Sequence, residues 1–397
     1  MIPERHHAFK SRGAQAPGPS TGASRRPPPG DAAFRWPAGS DVIECSEQTG
    51  FERPTGGRVV KLLITGGAGF IGSNFIRSYL ERHEDCAIVN LDKLTYAGNL
   101  ENLRDVEDDP RYAFVHGDIC DADVVAEAME GVRAVVNFAA ETHVDRSIGD
   151  PEGFLKTDVL GVHTLLEAAR EYGVERFVQI STDEVYGPTL GGAFREDAPL
   201  SPRNPYSASK AGGELLARSY FVTYDLPVIV TRGANNVGPN QYPEKVVPLF
   251  ATNAMDDQPL PLYGSGDQER DYTHVLDHVS GVEVALEKGE PGEIYNIGAG
   301  NHMRNRDMAR LILDELGKPE ELIVHVRDRE GHDFRYAIDS TKLRRLGWEP
   351  RYSAEEAVRD AVRWYAEHRD WWEPIKSGEF REYYEQQYRE RLSEAGV

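Results

Sequence analysis

From Val59 onward, short runs of β-branched and apolar residues alternate with stretches whose apolar positions recur at helical spacing. The runs are Val59–Thr65, Ala87–Asp92, Tyr112–Asp118, Ala134–Ala140, Arg176–Ser181 and Pro227–Thr231. Amphipathic segments at Asn74–His83, Ala122–Met129, Phe154–Tyr172 and Ser207–Tyr224 lie between them. Near-continuous apolar runs suit strands covered on both faces, and the helical segments supply the crossovers that parallel strands need. This predicts an α/β fold, a Rossmann-like doubly wound parallel sheet, over residues 58–233. Beyond residue 233 the order loosens. Loops at Pro239–Pro248 and Gly264–Asp271 precede charged, aromatic helical stretches at Ala354–His368 and Phe380–Leu392. Residues 234–397 are expected to form mainly a smaller substrate-binding domain, partly interleaved with the first, over the carboxyl ends of the strands.

Residues 1–57 break the pattern. They hold eight of the 24 prolines, with Gly, Ser and Arg between them and no apolar periodicity. Such a segment buries too little surface to offset its ordering entropy, so a disordered N-terminal extension is expected. The whole chain of 397 residues carries a formal charge of −21, which disfavours a phosphate-neutralising nucleic-acid binder. No apolar run reaches the ~18 residues that a membrane span requires, and the N-terminus lacks the basic-then-apolar order of a secretory signal. Three cysteines without paired spacing suggest neither a disulfide frame nor a zinc site. A soluble, cytoplasmic protein is the expectation.

The first strand runs into Thr65-Gly66-Gly67-Ala68-Gly69-Phe70-Ile71-Gly72 and then a helix. Glycines at 66, 69 and 72 allow a tight turn, close approach of backbone to a pyrophosphate and close helix–strand packing. Asp92, 20 residues after Gly72, ends the second strand, where a carboxylate accepts hydrogen bonds from a ribose. A carboxylate there repels a 2′-phosphate, so NAD is expected over NADP. Asp118-Ile119 and Ala139-Ala140 end the next two strands, beside the adenosine half of such a cofactor.

Tyr206 and Lys210 stand at i and i+4, on one helix face. A neighbouring ammonium stabilises a phenolate, which makes Tyr206 a candidate base. With the glycine turn this pair resembles the extended short-chain dehydrogenases/reductases, whose Tyr deprotonates a hydroxyl as hydride leaves for nicotinamide. The fifth strand ends Ser181-Thr182-Asp183-Glu184-Val185-Tyr186-Gly187. Two adjacent carboxyls can divide an acid role from a base role if their environments differ, although alone they also suit a hydrated turn. In context, Ser181–Gly187, Leu91–Asn99, Ala139–Ser147, Pro205–Lys210, Asn235-Asn236, Pro243-Glu244-Lys245, Arg270-Asp271 and Asp328–Asp333 resemble the dTDP-glucose 4,6-dehydratase family over about residues 60–350.

The resemblance implies a hydro-lyase in which Tyr206 and Lys210 serve the oxidation at C4, aided by Thr182. Glu184 then takes the C5 proton and Asp183 protonates the departing 6-hydroxyl. It implies NAD contacts from Gly66, Gly69, Phe70, Ile71, Gly72, Asp92, Lys93, Leu94, Thr95, Asp118, Ile119, Ala139, Ala140, Thr157 and Asn236, besides Tyr206 and Lys210. For the nucleotide sugar it implies Thr142, Thr182, Asn235, Lys245, Val246, Pro261, Tyr263, Arg270, Asn305, Asp328, Arg329 and His332. No metal is implied, and a homodimer is. Gly233-Ala234, Val237, Tyr272-Thr273-His274 and Glu330 depart from the family's usual residues, all in the substrate half. Alternatives of the same fold are a CDP- or UDP-glucose dehydratase, a 4-epimerase with no use for Asp183 and Glu184, and a non-catalytic NAD-binding regulator. His274 and His278 share metal-pair spacing but lack the accompanying Glu. Trp364, Trp371 and Trp372 are expected to pack a C-terminal helix.

Overall fold

In the computed structural model, residues 60–328, 333–377 and 379–397 are described. The expected extension at 1–57 therefore lies outside the described residues, as do Arg329, Glu330 and His332. Twelve strands are present among the described residues: β1 (Val60–Thr65), β2 (Cys86–Asp92), β3 (Tyr112–His116), β4 (Ala134–Asn137), β5 (Arg176–Thr182), β6 (Val228–Gly233), β7 (Asn235–Val237), β8 (Leu260–Tyr263), β9 (Glu269–His274), β10 (Ile294–Ile297), β11 (His302–Arg304) and β12 (Ile323–Val326). Seven of them form a parallel sheet in the order β10-β6-β5-β4-β1-β2-β3.

Alternation along the strands explains the layering, because successive side chains point to opposite faces. Leu62 and Ile64 pack with Phe75, Ile76, Val279, Val282 and Trp348 on one face, under helices Phe70–Arg82 and Val275–Lys288. Leu63 packs with Val135, Phe177, Val230, Leu165, Leu166 and Ala217 on the other, under helices Val162–Glu171 and Pro205–Tyr224. The six sequence-read strands all exist. A seventh was not legible: β10 lies about 60 residues beyond the proposed boundary and pairs with β6. Together with the helix Val275–Lys288, it belongs to the first core rather than to a separate C-terminal one.

The second core holds helices Val246–Met255, Asn305–Leu316 and Ala354–Glu367 around the two-stranded pair β8–β12 and the three-stranded sheet β11-β9-β7. The expected loop at Gly264–Asp271 is half strand, since β9 begins at Glu269. The helix beginning at Pro151 has a defect: Pro151–Leu155 is α-helical, Lys156–Gly161 is a π turn, and α geometry resumes at Val162–Glu171. The C-terminal tryptophans pack as expected. Trp372 is buried and donates to the Tyr365 carbonyl, and Trp371 donates to Asn102 Oδ1 at 2.9 Å. No helix among the described residues is long and apolar enough to cross a membrane.

Candidate active site

A cleft of about 430 Å³ opens over the carboxyl ends of β1, β2, β4, β5 and β6 and reaches the second core. At its floor the turn after β1 is packed backbone against backbone. Gly66 adopts φ +69°, and a Cβ there would lie 2.6 Å from Ala139 N. A Cβ on Gly72 would lie 2.4 Å from the Gly66 carbonyl oxygen. Only glycine fits at either place, and the helix Phe70–Arg82 starts straight from the turn.

Asp92 closes the same turn. Its Oδ2 accepts from the Ala68 amide (2.9 Å) and its Oδ1 from the Leu94 amide (2.8 Å), with Leu94 in the left-handed region at φ +55°. Burial pushes the Asp92 carboxyl up, and the two amides pull the other way. Lys93 bridges to Asp118 at 2.7 Å. Burial of Asp118 is outweighed by that ammonium and the Cys120 amide, which hold its carboxyl below the usual range. Gly69, Phe70, Ile71, Thr95, Ile119, Ala139, Ala140 and Thr157 complete this half of the wall. Leu94 does not line it; its contribution is the amide on Asp92.

Further along, Thr182, Asp183, Glu184, Tyr206 and Lys210 face the same cavity. Thr182 ends β5 and caps the single turn Asp183–Tyr186, its Oγ1 accepting from the Glu184 amide at 3.3 Å. That turn separates the two carboxyls. Asp183 is buried, and desolvation, with Glu184 and Asp271 adding to it, pushes its carboxyl up to about 8 against the pull of Arg270 and Thr182. Glu184 is half-buried and accepts from Asn204 Nδ2 at 3.3 Å. At neutral pH Asp183 is a proton donor, and Glu184 lines the cavity beside it.

Burial and the charges of Glu184, Asp158 and Asp183 push the Tyr206 phenol above its ordinary value, while the Thr182 hydroxyl pulls it down. Burial also lowers the Lys210 ammonium, with Asp158 and Glu214 pulling the other way.

In the outer half, Arg270 is held by the carbonyls of Glu269 (2.8 Å), Asp333 (2.9 Å) and Phe334 (3.2 Å), over the Tyr336 ring at 4.8 Å. Lys245 donates to the Thr142 carbonyl at 2.8 Å, and Asn305 accepts from the Tyr272 hydroxyl at 2.9 Å. Asn235, Val246, Pro261 and Tyr263 also line the cavity. Asp328 does not; it accepts from Gln268 at 2.9 Å, behind Gly264. The carboxamide oxygens of Asn235 and Asn236 are buried in the wall with no hydrogen-bond partner. Orphaned acceptors, a glycine floor and a carboxylate at the end of β2 fit a dinucleotide in the inner half.

Among the wall residues that sequence reasoning did not assign to the site are Tyr242, Phe250, His278, Tyr336 and Tyr388. Tyr388 arrives on the C-terminal helix Glu379–Glu394, which no local motif aims at the cleft. From the same helix, Gln387 and Arg391 each donate to the Tyr263 hydroxyl at 2.9 Å. His278 explains a departure noted above, since a Cβ on Gly233 would lie 2.4 Å from its Cε1. Burial holds its imidazole neutral, at about 4, and neither ring nitrogen has a hydrogen-bond partner. His274 has both nitrogens engaged, one accepting from the Leu276 amide (3.1 Å) and the other on Asp360 (3.0 Å), so it offers no lone pair to a metal.

A family model described as GDP-mannose 4,6 dehydratase matches residues 63–361. The chain belongs to that family. It is 48% identical over 323 residues to a dTDP-glucose 4,6-dehydratase of Streptomyces niveus, covering 80% of this chain and 96% of that protein. The crystal structure of DesIV, a dTDP-glucose 4,6-dehydratase from Streptomyces venezuelae with NAD bound, superposes with a TM-score of 0.78 at 49% identity, over 80% of this chain and all (100%) of that one. A Thermus thermophilus UDP-glucose 4-epimerase in complex with NAD gives a TM-score of 0.73 at 31% identity, over 78% of this chain and 100% of the epimerase. This member of the family is therefore an NAD-dependent enzyme on a short-chain dehydrogenase scaffold.

Proposed function

We propose that this chain converts dTDP-glucose to dTDP-4-keto-6-deoxyglucose and water. The observation that carries the reading is the unequal pair, Asp183 buried and protonated beside Glu184 at the cavity, next to Tyr206. An epimerase needs no acid and base of this kind. The 48% identity to a dTDP-glucose dehydratase, against 31% to the epimerase, points the same way.

Tyr206 takes the proton of the 4-hydroxyl, with Thr182 held against the same oxygen. NAD⁺ held by the glycine turn would take up the C4 hydride and give it back to C6 as Glu184 returns a proton to C5, so no outside oxidant would be consumed. The 4-ketone makes the C5 proton acidic, and Glu184 removes it. Asp183 gives its proton to the leaving 6-hydroxyl, which departs as water. The two carboxyls need not ionise together, which suits neighbours whose charges repel. Gly66, Gly69, Gly72 and Asp92 hold the cofactor. Arg270 grips the diphosphate with a guanidinium already fixed by three carbonyls, and Tyr263 stacks on the base. Asn235, Lys245 and Asn305 flank the sugar and diphosphate.

The enzyme works in the cytoplasm as a homodimer on this reading. Leu155 (55% exposed) and Leu160 (58%) on one helix and Leu215 (50%) and Val222 (79%) on its neighbour present apolar surface that a two-fold partner would cover.

The test is NMR of the purified protein with dTDP-glucose in D₂O, without added oxidant or reductant. The expected product is the 4-keto-6-deoxy sugar carrying deuterium at C5. Formation of the galactose epimer would overturn the roles of Asp183 and Glu184. Turnover of CDP- or UDP-glucose alone would overturn the nucleotide assignment.

A further inference from the structure

The C-terminal helix Glu379–Glu394 carries two stripes of side chains, each repeating every four residues. Phe380, Tyr384, Tyr388 and Leu392 pack into the second core, where the Tyr384 hydroxyl accepts from Asn253 Nδ2 at 3.2 Å. Tyr383, Gln387 and Arg391 form the other stripe and are half-buried. What they touch is the wall of the cleft.

Tyr383 stands edge-on to the His143 ring at 5.7 Å between centroids, with the Arg146 guanidinium 4.5 Å from its own ring centroid. Gln387 uses both hydrogens of its amide nitrogen, one on Asp145 Oδ2 at 3.1 Å and one on the Tyr263 hydroxyl at 2.9 Å. Arg391 Nη1 donates to the same hydroxyl at 2.9 Å, and its guanidinium lies 5.0 Å from the Tyr263 ring centroid. His143 and Asp145 follow β4 of the first core, Tyr263 ends β8 of the second, and all three line the cleft. One helix stripe therefore ties the two cores together at the cavity wall.

The phenol oxygen lies on the axis about which a tyrosine ring turns. Two donors fixed on it hold the direction in which the ring points, and a guanidinium beside the ring restricts its turning, a torsion whose wells are otherwise broad. A planar base stacks best on a ring that is already aligned, because the cost of ordering that ring is then absent from binding. Neither Gln387 nor Arg391 lines the cavity, so each acts through Tyr263.

We propose that Gln387 and Arg391 are positioning residues for the nucleoside half of the substrate. They hold the Tyr263 ring where it stacks on the base, so affinity depends on them and the chemical step does not. This rests on Tyr263 stacking on the base, as in the function proposed above.

The test is calorimetric titration of the NAD-loaded enzyme with dTDP, beside steady-state kinetics with dTDP-glucose. Gln387→Leu and Arg391→Met should each weaken dTDP binding about 3- to 10-fold and raise KM to match, with kcat within about twofold of the parent. Tyr263→Phe keeps the ring and removes the hydroxyl, so it should lose at least as much affinity. Adding Arg391→Met to Tyr263→Phe should then cost nothing further. Unchanged dTDP affinity in either single variant overturns the role of that residue. A loss from Arg391→Met as large in the Tyr263→Phe background as in the parent overturns the proposal, and so does a fall in kcat at constant KM. If Arg391→Met does not fold, Arg391→Ala, with the residue best suited to a helix, takes its place in the same cycle.

Tyr263→Ala separates the inference from its premise. Parental dTDP affinity in that variant would remove Tyr263 from the base site, and the proposal with it. Weakened binding there, beside parental binding in Gln387→Leu and Arg391→Met, would remove the two positioning residues alone.

Discussion

Asp183→Asn isolates the cost of keeping a catalytic acid dry. The Asp183 carboxyl lies near 8 in the fold against an ordinary value of 3.8. A carboxyl that holds its proton more tightly folded than unfolded makes the native state lose stability as pH rises from about 4 to about 8. Each unit of difference corresponds to about 1.4 kcal/mol, so at pH 7, some three units above the ordinary value, the group costs roughly 4 kcal/mol. The amide has the same shape, keeps an acceptor for the Thr182 hydroxyl, and never ionises. The variant should therefore melt higher than the parent at pH 7, by on the order of 5 °C, with the gap closing toward pH 4. Its chemistry should fail in one place. Hydride still leaves C4, but the 6-hydroxyl lacks its proton, so overall turnover drops about 10²- to 10⁴-fold and the absorbance of reduced nicotinamide builds up in stopped flow. A variant that melts at or below the parent at pH 7, or turns over at the parental rate, would refute the assignment of Asp183 as a buried neutral acid.

Glu184→Gln should also oxidise C4 but not exchange the C5 proton, so substrate recovered from D₂O would lack deuterium at C5 and turnover would fall about 10²-fold or more. Gly72→Ala forces a methyl to 2.4 Å from the Gly66 carbonyl, and the protein should purify largely without NAD, read by releasing and quantifying the nucleotide. Asp92→Ala leaves the amides of Ala68 and Leu94 without acceptors, and calorimetric titration should show NAD binding weakened at least about tenfold.

The first core and most of the cofactor site were legible because their signals are local. Gly66 to Gly72 and Asp92 are separated by one strand-turn-helix-strand unit, and Thr182-Asp183-Glu184 sits on a single strand end. What was hidden depends on contacts between distant segments. β10 carries only Ile294–Ile297, too short to stand out, and its place is set by pairing with β6. Tyr336 and Tyr388 sit in segments whose local pattern says nothing of a cleft. The surroundings of Tyr206 were hidden in part for the same reason: Lys210 is four residues away and visible, while Asp158 comes from another element. The π turn that delivers Asp158 reads as continuous helix, since its apolar spacing shifts by a single residue.

The strand order also decides when the cofactor half can form as the chain is synthesised. Until Ile294–Ile297 has emerged, β6 is an open edge of backbone donors and acceptors. Until Val275–Lys288, which precedes that strand, has emerged, Val178 and Ile229 on the same sheet lack the helix that covers them. A nascent chain ending near residue 240 therefore carries every glycine and acid of the NAD turn on a sheet with one sticky edge and part of one face bare. The dinucleotide-binding half is not a module that can be cut free or finished first. Its last strand is encoded after the loops of the substrate half have begun, so both halves must mature together.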